Sequence, residues 1–190
     1  MEEMAKSGNI VCPSDGSPAS VVAFIQCAGS RDENHLPYCS AVCCRVSLKQ
    51  AMYVKEANEE NKAIVFYKDM RTPEQAEEFY KKVQKDGVIF VKTDTSKVTI
   101  TEGSERKLAI ETMDELLGEP VQIEVDLVVL ATGMQPATLD DPILNLEYRQ
   151  GPALPELKYG FPDSHFICFP YETRRTGIYT AGCIRQPMTA

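Results

Sequence analysis

No stretch of about 18 consecutive apolar residues occurs in this 190-residue chain, so no transmembrane helix is expected. Positive charge is scarce. Twenty Lys and Arg face 28 Asp and Glu, a net charge of −8, which leaves no basic face to neutralise phosphates and argues against a nucleic-acid partner. The opening MEEMAKSGNIVCPSDGSP has no apolar core of the kind a secretory signal needs. No paired-carboxylate or Ser/His/Asp constellation stands out, so no catalytic residue is assigned. The G-x-G-x-x-G phosphate fingerprint is also missing, and there is neither an internal repeat nor a low-complexity tract.

What is present in unusual amount is thiol. The chain has seven cysteines, an odd number, whereas a secreted disulfide framework wants an even count at scattered positions. Four of them are clustered as Cys27-x11-Cys39-x3-Cys43-Cys44. That grouping suits a metal or iron–sulfur site in a reducing compartment, and the expected location is cytoplasmic.

Hydrophobic patterning places the cluster. Residues 1–19 read as a loop or tail around the turn cluster Pro13–Pro18. Residues 21–26 read as a buried strand and 27–36 as a polar loop. A helix is expected from Pro37 to about Ala57, with Asn34 or His35 near its cap and Val42, Val46, Leu48, Ala51, Met52 and Val54 on its buried face. Ala63–Tyr67 is the next strand. Thr72 and Pro73 open a second helix ending near Lys85, and Val88–Lys92 is a third strand. This β-α-β-α-β alternation predicts a parallel sheet with crossover helices. Val98–Thr101, Lys107–Thr112 and Val121–Val125 then read as an antiparallel meander, and 126–131 as an apolar strand running into Thr132-Gly133. Residues 134–176 read as a long connection, and 177–182 as a short strand entering a glycine turn.

The four clustered cysteines therefore fall where a strand gives way to a helix. They suffice for one four-coordinate soft-metal site. Their spacing departs from the common ferredoxin run, so the pattern by itself leaves zinc open beside the preferred iron–sulfur reading. On the expected helix, Cys39 and Cys43 would share a face, and Cys39 would sit in the first turn, where free N–H groups favour thiolate. Arg31 places a positive charge near this site or serves only as a surface ion pair. His35 either approaches the sulfurs or is a solvated loop histidine, and His165 has no partner in sequence. Arg174-Arg175 face an anionic partner or solvent. Cys12, Cys168 and Cys183 are isolated and read as ordinary thiols.

Three segments carry a resemblance: IQCAGSRD, LPYCSAVCCRVSLKQA and GIYTAGCIRQPM. Together they resemble the heterodisulfide reductase A-like flavoproteins, and more closely the related flavoprotein subunits of the quinone-interacting membrane-bound oxidoreductase complex. The resemblance runs from about residue 20 to 190. It implies an α/β fold of the FAD/NAD(P)-binding, two-dinucleotide-domain flavoprotein type, with a parallel crossover sheet plus an antiparallel meander. It also implies a [4Fe–4S] cluster on Cys27, Cys39, Cys43 and Cys44, and FAD contacts near Gly133, Gly182 and Cys183. Cys183 stands where the family usually carries an acidic residue.

On this reading residues 1–19 are a tail, 20–135 a degenerate dinucleotide-binding domain carrying the cysteines, and 136–190 a connection with part of an FAD domain. No strand with a glycine fingerprint for the ADP moiety occurs, so the expectation is a fragment of an electron-transfer oxidoreductase, inactive alone and binding FAD only in the full-length protein. The implied partners are other iron–sulfur and flavin subunits of a redox complex, which reaches a membrane only through a partner. Two alternatives remain open. One is a zinc- or thiol-stapled structural module. The other is a pyridine-nucleotide-disulfide oxidoreductase fragment using Cys43-Cys44 as a dithiol, disfavoured because adjacent cysteines close a strained ring.

Overall fold

The computed structural model describes residues 1–104, 106–137, 157–162, 164–165, 167–173 and 177–188. Its centre is a four-stranded parallel sheet built from β1 (Val21–Ile25), β2 (Lys62–Tyr67), β3 (Ile89–Lys92) and β7 (Leu127–Leu130), in the order β3-β2-β1-β7. The register pairs Phe24 with Val65 on one side and with Val129 on the other. Crossovers through α2 (Cys43–Ala57) and α3 (Ala76–Lys85) make the first three strands parallel.

Alternation along β1 divides the core. Val22 and Phe24 face the helices and pack with Leu48, Ala51, Val54, Val65 and Val83. Ala23 and Ile25 face the other way and pack with Phe66, Val91, Ile110 and Val125. Both faces of the sheet are covered, so its strands read as continuous apolar runs. Phe24, Phe66 and Leu48 are fully buried, and each contributes roughly 1.5–3 kcal/mol.

The second cover is the meander β4 (Thr99–Glu102), β5 (Leu108–Asp114) and β6 (Glu119–Val125), antiparallel in that order. Asp126 joins it to the parallel sheet. Its carboxylate accepts hydrogen bonds from the Ser20 amide at 2.9 Å and the Val21 amide at 2.8 Å, fixing the starts of β1 and β7 side by side. Short pairs follow: β8 (Leu157–Lys158) with β9 (Phe161–Pro162), and β10 (Ser164–His165) with β11 (Phe169–Thr173).

Several expectations are corrected. Residues 1–19 are not featureless. Glu2–Ser7 form a helix, α1, whose Glu2 meets Lys49 at 3.0 Å and Gln50 at 3.1 Å on α2. Ile10 and Ala19 are buried, and Val11 bridges Pro18. Helix α2 begins at Cys43, not near Pro37, because residues 36–40 spend their hydrogen bonds elsewhere. The Leu36 amide donates to Gly29 O, Tyr38 O accepts from the Arg31 amide, and Ser40 bonds Met134. Ala41, at φ 60°, then breaks any continuous helix. The buried face of α2 is Cys44, Ser47, Leu48, Ala51, Met52 and Val54, while Val46 is exposed.

Helix α3 starts at Ala76 rather than at Pro73. Glu74 is left-handed at φ 59°, and the Thr72 hydroxyl donates to the Glu77 carboxylate instead of capping an amide. The expected strand at 177–182 is a single bridge, Tyr179 to Glu172, followed by a 3-10 turn over Gly182–Ile184. Arg174, Arg175 and most of the expected connection (138–156) lie outside the described residues.

Candidate metal centre

Three loops meet at the C-terminal edge of the parallel sheet: the turn after β1, the approach to α2, and the segment after β2. Cys27 follows β1 directly and adopts φ 55°, a left-handed turn that folds residues 28–40 back across the end of β7. Four contacts hold that fold-back. The Ala28 amide donates to Ala131 O at 3.1 Å, and the Ser30 hydroxyl to Thr132 O at 2.9 Å. The Met134 amide donates to the Ser40 hydroxyl at 2.8 Å, and the Tyr38 hydroxyl to Met134 O at 3.0 Å. Phe161 packs edge-on against Tyr38 from outside, with ring centres 5.3 Å apart.

This geometry brings Cys27, Cys39, Cys43 and Cys44 into one neighbourhood. Burial, followed by the nearby Cys44, Cys27 and Cys39 thiols, pushes the Cys43 pKa up to about 11. Cys44 is raised as well, first by burial, with Cys27 and Cys39 adding to it and the Arg71 amide opposing. Cys43 and Cys44, whose thiols burial holds in the neutral form, are costly to ionise without a cation.

Cys39 and Cys43 do not share a helix face. Cys39 lies in the loop, its sulfur accepting the Ala41 amide at 3.4 Å. The helix N-terminus is supplied by Cys43 and Cys44, the first two helical residues, where free amides oppose the upward push of burial without reversing it.

Residues that the sequence did not single out complete the rim. The Arg71 amide donates to Cys44 Sγ at 3.4 Å, and Cys44 in turn contacts Asp69 O. The Asp69 carboxylate pairs with Arg31 at 2.8 Å, and the Arg31 guanidinium lies near Cys27. The usable signal was positional: Lys68–Arg71 is the polar loop after the second parallel strand, and such loops gather at one edge of the sheet. His35 turns to Asp32 at 2.9 Å and stays exposed.

Two groups beside Cys27 are left incomplete. Gln26 is 1% exposed, yet neither its amide nitrogen nor its oxygen has a partner, and Arg31 Nη1 is buried and unpartnered. Among the described residues, no three His, Cys, Asp or Glu groups close on a point that would hold a single metal ion.

The remaining candidates lie apart. Gly133, at φ 100°, presents its Cα to the cysteine loop, where a Cβ would overlap Ser30 Oγ and stand 2.7 Å from Ser40 Oγ. Gly182 is open, with nothing within 4 Å of a Cβ, and Cys183 donates to Met188 O at 3.3 Å. Cys12 donates to Asp126 O at the opposite end of β7, and Cys168 is exposed.

No protein-family model matches the chain. A segment of a CoB–CoM heterodisulfide reductase iron-sulfur subunit of the A type from Methanopyrus kandleri is 35% identical to it over 184 residues, 95% of this chain and 27% of that protein. The chain matches heterodisulfide reductase A homologues at family level over most of its length. The corresponding A-type iron-sulfur subunit of Methanocaldococcus jannaschii is 36% identical over 188 residues, again 95% of this chain and 27% of that protein. A heterodisulfide reductase A-like protein of Archaeoglobus profundus is 32% identical over 167 residues, 87% and 23% of the two lengths. The chain thus spans about a quarter of the length of these relatives. Among solved structures, T. acidophilum thioredoxin reductase is similar at 18% identity and a TM-score of 0.46, over 88% of this chain and 45% of that one.

Proposed function

We propose that this chain is the electron-relay segment of an iron–sulfur flavoprotein oxidoreductase of the heterodisulfide reductase A type. Cys27, Cys39, Cys43 and Cys44 would hold a [4Fe–4S] cluster. The single observation that carries the reading is the gathering of these four thiols at the C-terminal edge of the parallel sheet, beside orphaned polar atoms on Gln26 and Arg31.

Four cysteine thiolates are the donor set such a cluster takes, one for each iron. A single zinc would also take four sulfurs, at about 2.3 Å. A further support is that two of the matched relatives carry the word iron-sulfur in their names.

When bound, the cluster supplies one-electron transfer. The chain's own residues do the rest. The turn at Cys27 and the α2 amides orient the thiolates, the Arg71 amide donates to Cys44, and Arg31, held by Asp69, places positive charge beside Cys27. The fold-back of residues 28–40 is seated on the end of β7 through Ser30 and Gly133, beside a cavity of about 300 Å³ lined by Cys43, Ser47, Ala131, Thr132 and Gly133.

Flavin binding, as FAD, belongs in this proposal to the larger protein, and the strand-end peptides of Gly133 and Gly182 with the Cys183 thiol are what the chain would bring to it. The division into 1–19, 20–135 and 136–190 is part of the same reading, as are a cytoplasmic location and partners among other iron–sulfur and flavin subunits. The finer likeness to the quinone-interacting membrane-bound oxidoreductase flavoproteins is also proposed. No described helix is long and apolar enough to cross a membrane, so contact with one would run through a partner.

Iron and sulfide analysis after anaerobic reconstitution tests the proposal. About four of each per chain is the expected result, and one zinc with no sulfide would overturn it.

A further inference from the structure

Among the described residues, five buried side-chain nitrogen or oxygen atoms have no partner, and three of them are on Gln26 and Arg31. Such atoms are rare in folded proteins, and each needs an explanation. These two residues bracket the turn at Cys27. Arg31 is already half-explained, because its other nitrogen is held by Asp69 and its charge lies near Cys27. Gln26 has no such account. Its backbone amide is committed to Phe66 O at 2.9 Å, while its side chain is sealed from water with both ends free.

Gln26 follows the last residue of β1, and its backbone amide continues the ladder to Phe66 O. Carried one step on, the alternation that puts Val22 and Phe24 on the helix side assigns Gln26 to that side. Helix α2 runs back antiparallel to β1 as a crossover, which places its first turn over the strand's C-terminal end. That turn carries Cys43 and the buried Cys44, and buried Ser47 follows at the start of the next. The amide thus faces the helix-borne half of the thiol set, and the turn that follows it carries Cys27.

We propose that Gln26 is the buried hydrogen-bond donor of the cysteine site. Its amide nitrogen donates to sulfur of the bound group and, together with Arg31, raises the reduction potential of that group. This inference rests on the cluster reading above. The physical basis is that N–H donors to cluster sulfur stabilise the more negative, reduced state. An apolar residue of the same size would remove the donor without opening a cavity.

The test uses this chain, anaerobically reconstituted with iron and sulfide, with the midpoint potential followed by electron paramagnetic resonance. Gln26→Met should keep its iron content, move the midpoint to a more negative potential, and lose an exchangeable-proton coupling seen in the wild type on changing H2O for D2O. If Gln26→Met takes no iron, Gln26→Asn, which keeps an amide on a shorter arm, carries the same measurement. A purely structural Gln26 predicts a different result: the metal-free Gln26→Met protein melts higher, since an orphaned amide is gone, and the midpoint does not move. That result overturns this inference and leaves the cluster reading standing. A wild-type chain that takes up no iron overturns both.

Discussion

Gly133 and Ser30 meet so closely that a Cβ on the glycine would overlap the serine hydroxyl. One residue follows β7 and the other lies in the cysteine loop, so this bare Cα is where the loop is seated on the sheet. Gly133→Ala combines that overlap with a left-handed φ of 100° and a second clash at Ser40. We expect it to cost about 2–4 kcal/mol, above the ~1–2 kcal/mol of a left-handed residue alone. Gly118→Ala is the control, at φ 71° with nothing within 4 Å, and should show only the backbone part. Denaturant unfolding of the two variants checks this, and equal losses would mean that the loop is not seated on Gly133.

Asp126 ties two strands through one carboxylate. Asp126→Ala leaves the Ser20 and Val21 amides without their acceptor, and should lower stability by about 2–3 kcal/mol, as expected for bonds to a charged group. Asp126→Asn keeps an acceptor and should lose clearly less. Thermal melts of both variants provide the comparison, and a neutral Asp126→Ala would contradict the role given to this residue.

Asp94 predicts an acid dependence. The Ser96 hydroxyl, followed by Lys68, holds its carboxyl well below the usual range, with the Ser96 amide adding to the effect. A depressed native value means that the native state binds fewer protons. The contribution is therefore full above the unfolded value of about 4 and is lost as pH falls through the lower native one. The side chain is 35% exposed, so solvent screening limits the effect to about 1 kcal/mol or less. The stability difference between wild type and Asp94→Asn should shrink as pH is taken from 6 to 3. A constant gap would show that the carboxylate's charge is not what matters.

The thiols should divide sharply. Cys39→Ser and Cys44→Ser should each abolish most of the visible absorption of the reconstituted chain, because oxygen is a harder and poorer ligand than sulfur for these irons. Cys12→Ser should leave it intact, since Cys12 is bonded to Asp126 O at the other end of β7. Cys168→Ser should do the same. Equal damage from all four variants would mean that the ligand set is wrong.

The parallel strands were legible because burial on both faces writes them as unbroken apolar runs such as Val21–Ile25 and Ala63–Tyr67. The meander was legible from its β-branched segments. The start of α2 was not, since Pro37 and the residues after it satisfy the local rules for a first helical turn. Bonds from Leu36 and Tyr38 back to the Gly29–Arg31 turn, and from Tyr38 and Ser40 to the distant Met134, override those rules, and no local window contains Met134. The clustering of the four cysteines pointed to one site, but Asp69, Arg71 and Gln26 came into view only with the fold, because their roles depend on loops from different strands meeting at one edge. The short α1 helix was hidden by polar composition, and docking on α2 through Glu2 sustains it.

The central claim is that Cys27, Cys39, Cys43 and Cys44 hold one iron–sulfur cluster. Its most direct test is quantitation of iron, acid-labile sulfide and zinc in the chain after anaerobic reconstitution and gel filtration. The account predicts about four irons and four sulfides per chain, with negligible zinc. A protein that emerges with one zinc per chain, or with no metal while its thiols remain reduced and titratable, would contradict it.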